Sequence, residues 1–92
     1  MTLHLTGYLD IDPSCLEEIR AAMPDHIRLS RAEPGCLSFE LRFDRQCSTR
    51  LLVEEVFCDR AAFEAHQARM LASPWAEITR GIARHYQISE TP

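Results

Sequence analysis

Ninety-two residues are enough for one domain spanning 1–92, and a second would be too short to bury its own core. Apolar residues make up 46% of the chain, which excludes wholesale disorder. Net charge is −4 and the cations, all arginine, are scattered, so nucleic acid is not an expected partner.

Leu3, Leu5, Leu9 and Ile11 alternate with His4, Thr6, Tyr8 and Asp10, the period of a half-buried strand. Gly7 interrupts the apolar set and suggests a bend or a close approach. Asp12-Pro13 opens a helix, with Asp12 as cap and Pro13 at the first helical position. Leu16, Ile19, Met23 and Ile27 continue at helical spacing. Pro24 predicts a kink, or a short helix followed by a second one to about Ala32. Glu33-Pro34-Gly35 is a turn signal.

Leu37, Phe39, Leu41 and Phe43 then alternate with Ser38, Glu40 and Arg42, the clearest strand in the chain. After a polar loop, 44–49, residues 51–57 read as a central strand paired antiparallel with it. Asp59 caps a second helix whose inward face holds Phe63, His66, Gln67 and Met70. Ala72-Ser73-Pro74-Trp75 breaks it, and a short helix covers about 75–80. Residues 82–88 form a last strand, which leaves 89–92 as a loose tail and an ordered core of about 3–89.

The order strand, helix, strand, strand, helix, strand predicts an α+β, ferredoxin-like βαββαβ domain with a four-stranded antiparallel sheet. Right-handed crossovers put the first and third strands in the middle and both helices on one face. Leu52 and Val56 then point to the uncovered face, opposite Leu51, Val53 and Phe57. An apolar sheet face without helices calls for a partner layer, and a homodimer is expected.

No apolar run reaches the roughly 18 residues that span a bilayer. The first residues carry neither a basic region nor a long apolar segment, so a signal peptide is not expected and a cytoplasmic location is. Cys15, Cys36, Cys47 and Cys58 form no C-x-x-C pair and are expected as free thiols, with a Cys36–Cys58 bridge across the hairpin as the alternative. His4, His26 and His85 lack metal-ligand spacing, so no metal is expected. Glycine-rich phosphate loops and a G-x-S-x-G elbow are absent, so no nucleotide cofactor or serine triad is expected.

Four segments carry a family likeness. Residues 31–37, Arg-Ala-Glu-Pro-Gly-Cys-Leu, resemble a turn motif of the antibiotic-biosynthesis-monooxygenase family. Glu55-Val56-Phe57 resembles its E-x-W strand motif, with Phe57 in place of the usual Trp. Phe63-Glu64-Ala65-His66 resembles its F-x-x-H helix motif, and Ala72-Ser73-Pro74 its A-S-P, at a longer distance from His66 than is commonest. The resemblance covers roughly residues 3–90. It implies a dimeric α+β barrel with an apolar cleft in each subunit. It further implies oxygenation of anthrones or quinols without metal or flavin; relatives degrade haem, and others act on small signalling molecules.

Such chemistry needs a base, a donor for the developing oxyanion and a dry aromatic pocket, because the substrate anion itself reduces O2. His66 is the leading candidate base, since imidazole exchanges protons near neutral pH. Its plainer role is a buried histidine bonded to a backbone carbonyl. Glu55, on an apolar strand, is second: desolvation raises its pKa, and it could orient His66 or bind a substrate hydroxyl. Its plainer role is an ion pair with Arg42 or Arg84. Phe39, Phe57, Tyr8 and Trp75 are candidate pocket linings, or simply core. The expected partners are thus a small aromatic substrate and O2, with no cofactor. A binding protein without chemistry and a haem binder ligated by His66 are the alternatives.

Overall fold

The computed structural model describes residues 1–92. Strand β1 (Thr2–Asp10) leads through a single 3-10 turn (Pro13–Cys15) into helix α1 (Leu16–Arg31). Strands β2 (Cys36–Phe43) and β3 (Arg50–Phe57) form a hairpin. Helices α2 (Arg60–Leu71) and α3 (Pro74–Ile78) precede strand β4 (Arg84–Thr91). The sheet order is β2-β3-β1-β4 with every neighbour antiparallel, so the expected ferredoxin-like α+β arrangement holds.

Register decides which side chains meet the helices. Leu5 pairs with Glu55 and Glu55 with Phe39, while Leu3 pairs with Phe57 and Gly7 with Val53. Period-2 alternation puts all of these on one face. Leu3, Leu5, Phe39, Val53 and Phe57 are fully buried there against Ile19 and Phe63. On β4, Arg84 and Tyr86 fall on the same face through their pairing with Leu9 and Gly7. The opposite face presents His4, Thr6, Tyr8, Glu54, Leu52 and Val56, and none of them is fully buried.

Gly7 allows the close approach expected of it. A Cβ there would lie 2.0 Å from the His85 carbonyl oxygen and 2.7 Å from the Tyr86 ring. The Tyr86 ring therefore occupies the gap that Gly7 leaves in the apolar row. Gly35 does the same for α2, since a Cβ would lie 2.2 Å from the Ala62 Cβ.

Several boundaries differ from the sequence expectation. Helix α1 runs through Pro24 as one helix. Pro24 and Arg20, whose carbonyl loses its helical partner, are both exposed, so water can take that bond. Ile19, Met23 and Ile27 pin both halves to the core. Leu37 is 61% exposed because a bulge between Cys36 and Ser38 removes it from the alternation. The tail from Ser89 is not loose: Ser89, Glu90 and Thr91 pair with His4, Leu3 and Thr2, and Glu90 meets Arg60. All four cysteines are free thiols, so the Cys36–Cys58 bridge does not form.

Candidate active site

A cleft of about 340 Å³ opens between the helices and the β3–β1–β4 part of the sheet. Helix α1 contributes His26, β3 Glu55, and α2 His66, Gln67, Met70 and Leu71. Trp75 and Ala76 of α3 and Arg84 and Tyr86 of β4 complete the wall.

His66 occupies the helical position that faces the sheet, one turn beyond Phe63, and is 2% exposed. Its Nδ1 lies 2.8 Å from Glu33 Oε1. The other Glu33 oxygen accepts from Arg69 Nε, and Arg69 Nη2 donates to Ser30 Oγ at 2.9 Å. A carboxylate oxygen accepts, so Nδ1 carries the ring proton. Nε2 is left with its lone pair and lies 3.7 Å from Glu55 Oε1. The plain role, a bond to a backbone carbonyl, is not what the structure shows.

Glu55 is 6% exposed and no hydrogen bond within the chain reaches its Oε1. Burial, followed by the nearby Glu33 charge, pushes its carboxyl up to about 7. It pairs with neither expected arginine. Arg42 is on the other face and meets Glu54 at 3.6 Å, while Arg84 donates to Thr79 and Ile82. Burial holds the His66 imidazole below its ordinary range, and the Glu33 bond partly offsets that. His66 is therefore neutral at pH 7, and Glu55 holds its proton to far higher pH than an exposed carboxyl does. Between them they hold a labile proton facing an open cleft.

The aromatic candidates separate into three groups. Phe57 and Phe39 lie behind the imidazole, with ring centroids 5.0 and 5.4 Å from it, and pack in the core rather than line the cleft. Trp75 lines the cleft, stacked on His26 at 4.5 Å with 5° between planes. Tyr8 is a correction to the sequence expectation. It points to the opposite face, where it stacks on His85 and lies under the Arg50 guanidinium. An even position on β1 faces away from the helices, which the alternation itself dictates.

Four cleft or support residues were not singled out from sequence: Glu33, Arg69, His26 and Tyr86. Glu33 read as a turn residue, and only its place within the 31–37 motif could have marked it. No three His, Cys, Asp or Glu side chains gather in a metal-binding group, and no helix is long and apolar enough to cross a membrane.

A family model described as antibiotic biosynthesis monooxygenase matches residues 2–77. The chain belongs to the antibiotic biosynthesis monooxygenase family. The matched residues end before β4, the strand that carries Arg84 and Tyr86. Among solved structures, a Nitrosomonas europaea protein named for this family superposes with a TM-score of 0.86, at 19% identity, over 98% of this chain and 89% of that one. A second one, from Bacteroides thetaiotaomicron, gives 0.77 at 26% identity over 99% and 89%. An uncharacterized Synechocystis protein is 34% identical over 62 residues. That match covers 67% of this chain, which spans only 42% of the relative's length.

Proposed function

We propose that this family member is a cofactor-independent monooxygenase that oxidises a small, electron-rich aromatic of the quinol or anthrone kind with O2. The observation that carries the proposal is the orientation of His66. One nitrogen is fixed by the Glu33–Arg69 pair, and the other offers a lone pair next to Glu55 on the cleft wall.

The reaction balances without an external reductant. His66 Nε2 takes a proton from the activated C–H or O–H group of the substrate. The resulting carbanion passes one electron to O2, the radical pair combines to a peroxide anion, and His66 returns its proton to give the hydroperoxide. Loss of water leaves a carbonyl where a methylene stood, so CH2 and O2 become C=O and H2O. The imidazolium formed on the way lies between the Glu33 carboxylate and the substrate anion, where both stabilise it. A protonated Glu55 adds a hydrogen-bond donor and avoids a second negative charge beside the anion.

Replacing His66 with Gln or Ala, with folding checked by circular dichroism, is expected to abolish oxygen uptake on a quinol and anthrone panel. Undiminished uptake would remove His66 from the mechanism. Thermal stabilisation of the wild type by a ligand without oxygen uptake would favour a binding protein, and a Soret band on adding haem would favour a haem binder. The proposal includes a homodimer formed through the sheet face that carries Leu52 and Val56. A monomeric mass in light scattering at micromolar concentration would contradict it.

A further inference from the structure

His26 is 6% exposed, yet no hydrogen bond from the chain reaches its ring, and Nδ1 is sealed without a partner. A neutral imidazole always carries one donor and one acceptor, so a buried ring with neither used is unusual. The only other sealed and unpartnered side-chain atom is Glu55 Oε1. Both residues line the same cleft. His26 is held rigidly there, stacked on Trp75 and set edge-on to Phe39 at 5.4 Å. Its ring centroid lies 6.2 Å from that of His66, within the span of one fused ring system. The unmet hydrogen-bonding capacity of the cleft is thus concentrated at two points, one beside the base and one a ring-width away.

We propose that His26 is a substrate-positioning residue that selects an aromatic with a second oxygen substituent, hydrogen-bonded to its imidazole while the acidic group meets His66 and Glu55. The assignment deepens the oxygenase reading and rests on it. Burial pushes the His26 imidazole down to about 3, so it stays neutral at working pH. A neutral ring, one donor and one acceptor, suits a hydroxyl or carbonyl and gives a carboxylate no opposite charge. The ring also borders a smaller cavity of about 140 Å³ with Asp25 and Ser73, where water is the competing partner.

Trp75 is the only tryptophan and lines the cleft, so its fluorescence reports occupancy independently of turnover. The probes are 1,8-dihydroxyanthrone and unsubstituted anthrone, with Kd read by quenching and turnover read by an oxygen electrode. The wild type is expected to bind the dihydroxy probe about tenfold more tightly, the worth of one added hydrogen bond to a buried partner. His26→Phe keeps the stack on Trp75 and removes both nitrogens, and it should shrink that preference below about twofold in Kd and KM. His26→Leu is a second apolar replacement should the Phe variant fail to fold. His26→Gln restores a donor and an acceptor and should recover part of the preference, which a purely structural role would not.

Equal binding of the two probes by the wild type overturns the assignment. So does a preference that survives in the apolar variants, which would mean His26 bonds only water in the side cavity. Neither result touches the oxygenase reading. Selective binding without oxygen uptake does the reverse, sinking the oxygenase reading and keeping His26. Failure of both probes to quench Trp75 overturns both.

Discussion

Two buried ionisable groups with opposite preferences make a sharp prediction for stability against pH. The Glu55 carboxyl rises from 4.5 to about 7 on folding, and the His26 imidazole falls from 6.5 to about 3. At about 1.4 kcal/mol per pH unit, these intervals are worth about 3 and about 5 kcal/mol. The signs are opposite. Folded Glu55 keeps a proton that the unfolded chain releases above 4.5, so its contribution falls as pH rises towards 7. Unfolded His26 takes up a proton below 6.5 that the folded ring refuses, so its contribution falls as pH drops towards 3. Between 4.5 and 6.5 these two slopes oppose each other, so the wild type should be flatter than the Glu55→Gln variant. Glu55→Gln removes one side, and its stability should climb by about 2–3 kcal/mol from pH 4.5 to 6.5. His26→Phe should fall over the same range, by less, because His66 still opposes the Glu55 slope. His66, also held low by burial, adds to the histidine side. Urea unfolding at half-unit pH intervals, extrapolated to water, measures this directly. A Glu55→Gln profile that runs parallel to the wild type would refute the assigned burial of that carboxyl.

Other predictions follow from single contacts. Glu33→Gln keeps an acceptor for Nδ1 but loses the charge that binds Arg69 and raises the imidazole, so kcat should fall on the order of 100-fold. The acid limb of the rate profile should also move to lower pH, and an unmoved limb with full kcat would remove Glu33 from the site. Gly35→Ala drives a Cβ into Ala62 of α2 and should cost about 1–3 kcal/mol in urea unfolding. Unchanged stability of Gly35→Ala would mean that α2 can shift without cost.

The sheet was legible because period-2 alternation in β1, β2 and β3 is strong and each strand has one buried face. The central places of β1 and β3 followed from crossover handedness. What escaped was decided by tertiary contacts. Pro24 reads as a break, but the cost of its missing amide depends on which side of the helix faces water. Leu37 reads as core until the bulge gives Phe57 an uneven pairing with Cys36 and Ser38 its place opposite Val56. The terminal residues 89–91 have no apolar pattern to announce a strand, since they are held by backbone pairing with the first residues of the chain.

The site divides in the same way. Helical spacing alone aimed His66 inward, and strand parity put Glu55 on one face with Phe39; the same parity puts Tyr8 on the far side, against the expectation that it lines the pocket. Nothing local could reveal that Glu33 supports His66 across 33 residues, or that Arg69 supports Glu33 across 36. A carboxylate in a Glu-Pro-Gly turn has a sufficient reason to be there as turn chemistry. The geometry adds a second reason. The turn ends α1 where α2 crosses it, Gly35 lets the helix come close, and the Glu33 side chain then reaches the rear of the imidazole. The substitution of Phe for Trp at position 57 is explained from the same place. That ring packs behind His66, away from the cleft, so its size affects how firmly the imidazole is backed rather than what the cleft admits. The cleft wall itself is formed instead by side chains that include His26, Trp75 and the β4 pair Arg84 and Tyr86.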